Sequence, residues 1–323
     1  MNILVYSPLP NDATSFYRAG GVLPYLRKLI PDFHIMEFKS EIGLMELANI
    51  DLVFLQRPFK PEIAKFAAFV KKCNIPLWID YDDDLFHIPE YLEIYHNYHR
   101  PVIRQSMVNC CQLADVITVT TQALKDVLSQ LNQNVKVVPN AINDYLFKFD
   151  PKPSQKRILW RGSDVHLKDL EICREDLQRI KKEFPDYVLT FMGYRPPFLE
   201  NVEHFPVMEI IDYFRILRDL APEIVIVPLI DNEMNRSVSN INALEGVWAG
   251  ATVIAPDWPE WEKLAWGYDG SIFEAVEYAI GMKKDNPKKY EDIKNKIFET
   301  LKDFNLSEIN KQRMTILKQC TTR

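Results

Sequence analysis

Residues 235–256, NRSVSNINALEGVWAGATVIAP, open polar, run through a helical segment, turn at Gly250 and finish as a short apolar strand, Ala251-Thr252-Val253-Ile254. Helix, glycine turn and apolar strand in that order make an αβ unit, the repeat from which parallel sheets are built. Glu245 is the odd member, an acid inside an otherwise packable helix, just upstream of a Trp-Ala-Gly turn. A helix start rich in Ser and Asn beside one internal carboxylate suits a ligand that carries both an anion and hydroxyls. The first helical N–H groups lack partners, and the macrodipole favours negative charge there. A nucleoside diphosphate with its ribose is such a ligand. The plainer alternative leaves Ser237 and Ser239 as caps and Glu245 as a solvated side chain.

Outward from this stretch the same alternation recurs. Apolar strands are expected at 3–6, 33–36, 51–56, 75–80, 115–119 and 135–139, then at 157–160, 188–192 and 224–229. Amphipathic helices are expected at 15–29, 61–72, 103–114, 122–131, 167–184 and 208–219, followed by charged helices to the C-terminus. Gly20-Gly21 interrupts the first of these, which suggests either a close approach to the backbone or a break between two short helices. The pattern predicts α/β architecture with parallel sheets, in which ligands bind beyond the carboxyl ends of the strands.

The chain of 323 residues is long enough for two domains of about 150 residues each. The polar, Pro-containing stretch 148–156 reads as the linker. The expected organisation is one domain at 1–148, a second at 149–303, and a last helix at 304–323 packing across both. A hydrophobic fraction of 47% and a charged fraction of 26% are ordinary for a globular protein. The net charge of −6 argues against nucleic-acid binding through the overall field, although a local basic groove stays open. Five cysteines fit no metal-ligand spacing, and adjacent Cys110-Cys111 make an awkward disulfide pair, so a reduced, cytoplasmic protein is expected. No signal-peptide pattern opens the chain, and no apolar run approaches the roughly 20 residues of a membrane span.

Three clusters carry chemistry. Asp80, Asp82, Asp83 and Asp84 follow the strand Leu77-Trp78-Ile79. They can bind a divalent metal, orient or deprotonate an acceptor hydroxyl, or cap a helix. Four acids in five residues exceed what a cap requires. Residues 85–106 bring Tyr91, Tyr95, Tyr98, His87, His96, His99, Arg100 and Arg104 together, either as an acceptor groove or as an ordinary half-buried helix. Finally, Arg161-Gly162-Ser163-Asp164 is a glycine turn between strand and helix, the usual way to present backbone N–H groups to phosphate. Arg161 and Lys168 can supply its cationic part. Neither GxGxxG nor GxxxxGK[ST] is present, so a dinucleotide enzyme and a P-loop NTPase are unsupported.

Several of these residues carry a resemblance. Trp78-Ile79-Asp80-Tyr81-Asp82-Asp83-Asp84-Leu85-Phe86, Ala114-Asp115-Val116-Ile117-Thr118-Val119-Thr120 and Val138-Pro139-Asn140-Ala141 lie in the first half. Trp160-Arg161-Gly162-Ser163 with His166, Lys168, Asp169 and Leu170, and Ser239-Asn240-Ile241-Asn242-Ala243-Leu244-Glu245, lie in the second. In this order the chain resembles the GT-B fold glycosyltransferases of the large retaining glycosyltransferase family 4, and more closely its short bacterial and bacteriophage members. The resemblance implies two Rossmann-like parallel-sheet domains facing each other across a cleft, and transfer of a hexose or pentose from a nucleoside diphosphate sugar, a UDP-sugar foremost, with retention.

Carried onto this sequence, the resemblance implies that Glu245 accepts the ribose hydroxyls and that Ser239 and Asn240 present helix N-terminal donors to the diphosphate. Gly162, Ser163 and Asn140 belong to the same nucleotide site. Arg161 and Lys168 offset charge on the leaving group, and one of Asp80, Asp82 or Asp83 contacts the acceptor hydroxyl or the transferred sugar. No tightly bound cofactor and no metal are implied. The acceptor class stays open among a glycan, a small molecule and a modified base of phage DNA, and so does the oligomeric state. The chain departs from the family pattern at Ser237, where an acid is common, at Asn242, where a lysine is common, and in the acids that replace a histidine after Trp78-Ile79. Arg236 is a candidate replacement for the lysine. A sugar-nucleotide epimerase and a non-catalytic nucleotide-binding homologue are the rival readings.

Overall fold

Leu52-Val53-Phe54-Leu55-Gln56 and Leu77-Trp78-Ile79-Asp80-Tyr81 are buried at every position. Such continuous burial belongs to parallel strands covered on both faces. In the computed structural model, which describes residues 1–38 and 44–321, these two stretches lie at the centre of the first of two sheets. The chain divides into two units. One comprises Met1–Asn143, Arg236–Ser239 and Leu306–Arg323, and the other Asp144–Asn235 and Asn240–Asn305.

The sheet of the first unit contains β1 (Asn2–Tyr6), β2 (His34–Glu37), β3 (Leu52–Gln56), β4 (Leu77–Tyr81), β5 (Val116–Val119) and β6 (Val135–Val137), ordered β2-β1-β3-β4-β5-β6 and parallel throughout. The order reverses between β1 and β3, which makes that crevice the topological switch point. Helix Pro61–Lys72 follows β3. It has Pro at its start, Glu62 in its first turn, Lys71 and Lys72 in its last, and Ile63, Ala64, Ala67 and Val70 on its buried face. The expected helix at 15–29 is two pieces, α-helix Ala13–Arg18 and a 3₁₀ turn Leu23–Lys28. The close approach at the glycines comes from the chain itself: a Cβ on Gly21 would stand 2.4 Å from the Phe16 carbonyl oxygen.

Two later segments complete this unit. Thr121 Oγ1 donates to the Ser237 carbonyl at 3.0 Å. The C-terminal helix Leu306–Thr321 is anchored by Leu306 N on the Ile142 carbonyl at 2.8 Å and by Asn310 Nδ2 on the Val22 carbonyl at 3.1 Å. Among the described residues, no helix is long and apolar enough to cross a membrane.

The sheet of the second unit contains β7 (Gln155–Gly162), β8 (Val188–Gly193), β9 (Glu203–Phe205), β10 (Pro222–Ile226), β11 (Thr252–Pro256) and β12 (Trp266–Tyr268). Its order is β12-β11-β10-β7-β8-β9, again all parallel, with the switch point between β7 and β10. Ile158, Trp160, Leu177, Phe191, Phe273 and Val276 are among its core. The edge strands β9 and β12 are three residues each, too short to show a period in sequence. The expected helix at 167–184 is broken at Cys173 into Leu167–Ile172 and Arg174–Glu183. The second piece carries Asp176, which accepts from Ser271 Oγ at 2.9 Å and Phe273 N at 3.1 Å.

Candidate functional site

Strand β7 delivers Arg161 and Gly162 to the switch point of the second sheet. Gly162 pairs with Gly193 at the end of β8. Gly193 has φ +94°, and a Cβ there would lie 2.2 Å from the Gly162 carbonyl oxygen, so only glycine fits. Arg161 Nη2 stands 2.5 Å from Glu245 Oε2. The Tyr213 hydroxyl donates to the same oxygen at 2.6 Å. Glu245 is 2% exposed on helix Ile241–Trp248, which ends as Gly250 turns the chain at φ +87° into β11. Burial and the Glu245 charge together hold the Tyr213 hydroxyl well above the usual phenol range. The two residues singled out most strongly in this half of the chain, Arg161 and Glu245, are therefore in direct contact.

The turn after β7 is organised by Asp169, which is buried. Its Oδ2 receives His166 Nδ1 at 2.8 Å, and its Oδ1 accepts from Ile230 N at 2.8 Å and Asn235 Nδ2 at 2.9 Å. One carboxylate thus ties the tip of β7 to the segment that follows β10. Lys168 is exposed and pairs with Glu171 at 2.7 Å along its own helix. Ser163 is exposed, and its side chain makes no cap bond.

At the start of helix Ile241–Trp248, Asn240 N donates to Glu260 Oε1 at 3.4 Å and Asn240 Nδ2 to the Glu260 carbonyl at 3.1 Å. Burial pushes the Glu260 carboxyl up to about 7, against the smaller downward pull of the Asn240 N–H. A carboxyl group thus already stands where an anion was expected. In the sequence Glu260 is one of three acids in the Pro-Trp-rich loop, beside Asp257 and Glu262.

In the first unit, Arg18 is the organising residue, and sequence reasoning passed over it. It is 1% exposed. Its Nε and Nη2 grip Asp80 at 2.8 and 2.6 Å, while Nη1 donates to the Val138 carbonyl at 2.7 Å and to Asn140 Oδ1 at 3.1 Å. Thr118 Oγ1 also donates to Asp80, at 2.5 Å, and receives Trp78 Nε1 at 2.7 Å. Asn140 Nδ2 reaches Ser239 Oγ at 2.8 Å. Asp80, Asn140 and Ser239 thus belong to one buried network whose hub is a two-pronged guanidinium–carboxylate pair.

The remaining acids serve other partners. Asp82 and Asp83 both accept from Arg57, whose backbone is left-handed at φ 44°. Burial raises the Asp82 carboxyl to about 6; Arg57 opposes the rise and the Asp83 charge adds to it. Asp84 is fully buried and holds the following turn through Phe86 N at 2.9 Å and His87 Nδ1 at 2.7 Å. Among the described residues, no group of three or more His, Cys, Asp and Glu side chains is arranged to hold a metal ion. Arg236 is exposed at the end of the short helix Glu233–Arg236. In the segment at 85–106, Tyr95 stacks on His99 at 3.9 Å and Tyr98 packs on Phe59 at 5.2 Å.

No protein-family model and no curated protein matches the chain. Solved structures do. The catalytic domain of starch synthase IV from Arabidopsis thaliana, bound to ADP and acarbose, superposes with TM-score 0.60 at 12% identity over 85% of this chain and 73% of that one. A UDP-forming α,α-trehalose-phosphate synthase from Burkholderia xenovorans gives 0.59 at 15% identity, over 84% and 75%. A Listeria monocytogenes protein assigned as a UDP-N-acetylglucosamine 2-epimerase gives 0.58 at 12% identity, over 98% and 95%. Likeness at such identity is likeness of fold. With its two six-stranded parallel sheets, each in a Rossmann-like unit, the chain has the GT-B fold.

Proposed function

We propose that the protein is a glycosyltransferase that moves a sugar from a nucleoside diphosphate sugar, with UDP-sugars the first donors to test, onto a hydroxyl acceptor with retention. The observation that carries this reading is the Arg161–Glu245 pair at the carboxyl end of β7, beside the switch point of the second sheet. A carboxylate is the acceptor a ribose diol needs, and a guanidinium is the fork a diphosphate needs. When the donor binds, Arg161 turns from Glu245 to the diphosphate, and the ribose hydroxyls take its place on the carboxylate. Each charge keeps a partner throughout. The backbone of Gly162 and Ser163, the helix start at Asn240, and the side chain of Lys168 supply further positive potential to the leaving group. With those donors in place the reading calls for no metal ion.

The first unit holds the acceptor in this reading. Asp80 is committed on both oxygens to Arg18, so it and Asn140 shape the site. Asp83, with a third of its side chain exposed, and its neighbour Asp82 are the carboxylates placed to meet a hydroxyl. The direct test is release of nucleoside diphosphate from a panel of UDP-, ADP- and GDP-sugars with mixed glycan and small-molecule acceptors. Silence across the panel counts against transfer. The near-complete mutual coverage with the Listeria protein favours a second reading, epimerisation of the donor. An epimerase turns over the sugar nucleotide with no acceptor present, which NMR of the donor alone distinguishes.

A further inference from the structure

We propose that the crevice between the carboxyl ends of β1 and β3 binds one uncharged, polyhydroxylated group, a neutral sugar ring or polyol, and reads it with the side-chain amide of Gln56. The inference rests on the glycosyltransferase reading only in calling this group part of the acceptor. The cavity measures about 200 Å³ and is lined by Ser7, Gln56, Arg57, Phe59, Lys60 and Tyr98, among others. That is room for one ring-sized group and less than the roughly 300–1,000 Å³ of sites that enclose a whole ligand.

Three observations converge on it. Gln56 is 1% exposed, yet among the described residues neither its Nε2 nor its Oε1 has a hydrogen-bond partner, and Ser7 Oγ has none either. Buried amides and hydroxyls in folded proteins are almost always paired, because an unmet one forfeits its hydration for nothing. Both amide atoms are closed off from solvent in this conformation, so a ligand in the cavity meets them once the Gln56 side chain turns toward it. The cavity also lies at the switch point of the first sheet, where open parallel sheets bind ligands. Finally, the residue after Gln56, Arg57, is held at φ 44°, a conformation that a non-glycine residue keeps only where its surroundings enforce it.

Charge selects the class of occupant. The Arg57 guanidinium is already matched by Asp82 and Asp83. Asp12, also at the cavity, caps helix Ala13–Arg18 through Ser15 N. Lys60 is exposed at the rim over the Phe59 ring. Among the described residues, no unmatched cation lies at depth to welcome a phosphate or carboxylate. An amide both donates and accepts, as a hydroxyl does, and the packed Phe59 and Tyr98 rings offer an apolar wall to the C–H face of a sugar.

The test uses the full chain and Q56L. In ¹⁵N-labelled protein, the Gln56 side-chain amide resonances should shift saturably on titration with at least one of D-glucose, D-galactose, N-acetylglucosamine, glycerol and myo-inositol, and not with glucose 6-phosphate. Followed by backbone resonances around Ser7, Q56L should bind that ligand about tenfold more weakly, the equivalent of one hydrogen bond lost. Q56L should also melt at or above the wild-type temperature, because it removes an amide that the fold leaves unmet. A melting point several degrees lower in Q56L, silence across the neutral panel, or preference for the sugar phosphate overturns the inference. UDP binding is measured on the same samples: its absence in the wild type sinks the transferase reading and leaves the neutral-group pocket standing or falling on its own titration.

Discussion

Arg161 and Glu245 meet at 2.5 Å from elements that lie 84 residues apart in the chain, and the Tyr213 hydroxyl closes on the same carboxylate oxygen at 2.6 Å. A buried carboxylate held in this way is oriented before any ligand arrives, so preorganisation and fold stability share the same atoms. Removing one partner of a buried pair typically costs about 3–5 kcal/mol. Glu245→Ala should therefore unfold in markedly less urea than wild type, which makes it a poor probe of binding. Glu245→Gln keeps the shape and an oxygen for Tyr213. It should remain folded and lose at least about tenfold in nucleoside diphosphate affinity, the equivalent of one charge-assisted hydrogen bond. Calorimetric titration with UDP and ADP checks this, and unchanged affinity in a folded Glu245→Gln removes the carboxylate from the nucleotide site.

Tyr213→Phe separates orientation from charge. The substitution deletes one hydrogen bond to a carboxylate, worth about 1.5–3 kcal/mol at most. The melting temperature should fall by a few degrees, and nucleotide affinity should drop less than in Glu245→Gln. A larger loss of affinity than in Glu245→Gln would place the tyrosine hydroxyl itself on the ligand.

The acids at 80–84 should behave unlike one another. Asp80 is inside the Arg18 grip, so Asp80→Ala leaves a buried guanidinium unmatched and should cost about 3–5 kcal/mol of stability by urea denaturation. Asp83 has a third of its side chain exposed, so Asp83→Asn should change stability by about 1 kcal/mol or less. In a working transfer assay it should raise the acceptor KM more than the donor KM. The reverse order of stabilities would mean that the Asp80 network is not what holds this end of the sheet.

Glu260 predicts a pH dependence. Its folded carboxyl titrates at about 7, raised from an ordinary value of 4.5, chiefly by burial. Between those values the folded protein keeps a proton that the unfolded chain releases, so stability falls as pH rises through this window and is level above it. The total is on the order of 1–3 kcal/mol. Glu260→Gln should melt above wild type at pH 8 and match it at pH 4, as followed by circular dichroism. A constant gap between the two proteins across this range would show that Glu260 does not titrate with folding.

The α/β class, the parallel sheets and most strand positions were legible in the sequence, because strands buried on both faces announce themselves in runs such as Leu52-Val53-Phe54-Leu55 and Ile224-Val225-Ile226-Val227. Arg161 and Glu245 stand out in the sequence as candidates, one at a glycine turn after a strand and the other an acid in an apolar helix, but their contact does not. What only the tertiary structure decided is which polar group answers which. Arg18 takes Asp80 from 62 residues away, Arg57 takes Asp82 and Asp83, Asp169 ties Ile230 and Asn235 to His166, and Glu260 meets Asn240. In sequence Gln56 is the polar end of a strand; in the fold its amide is buried with no hydrogen-bond partner among the described residues. Backbone pattern is local, set by the period of the strand and the helix. The pairing and burial of polar groups depend on which strand ends the sheet order brings together, and that order is written in no single stretch of the chain.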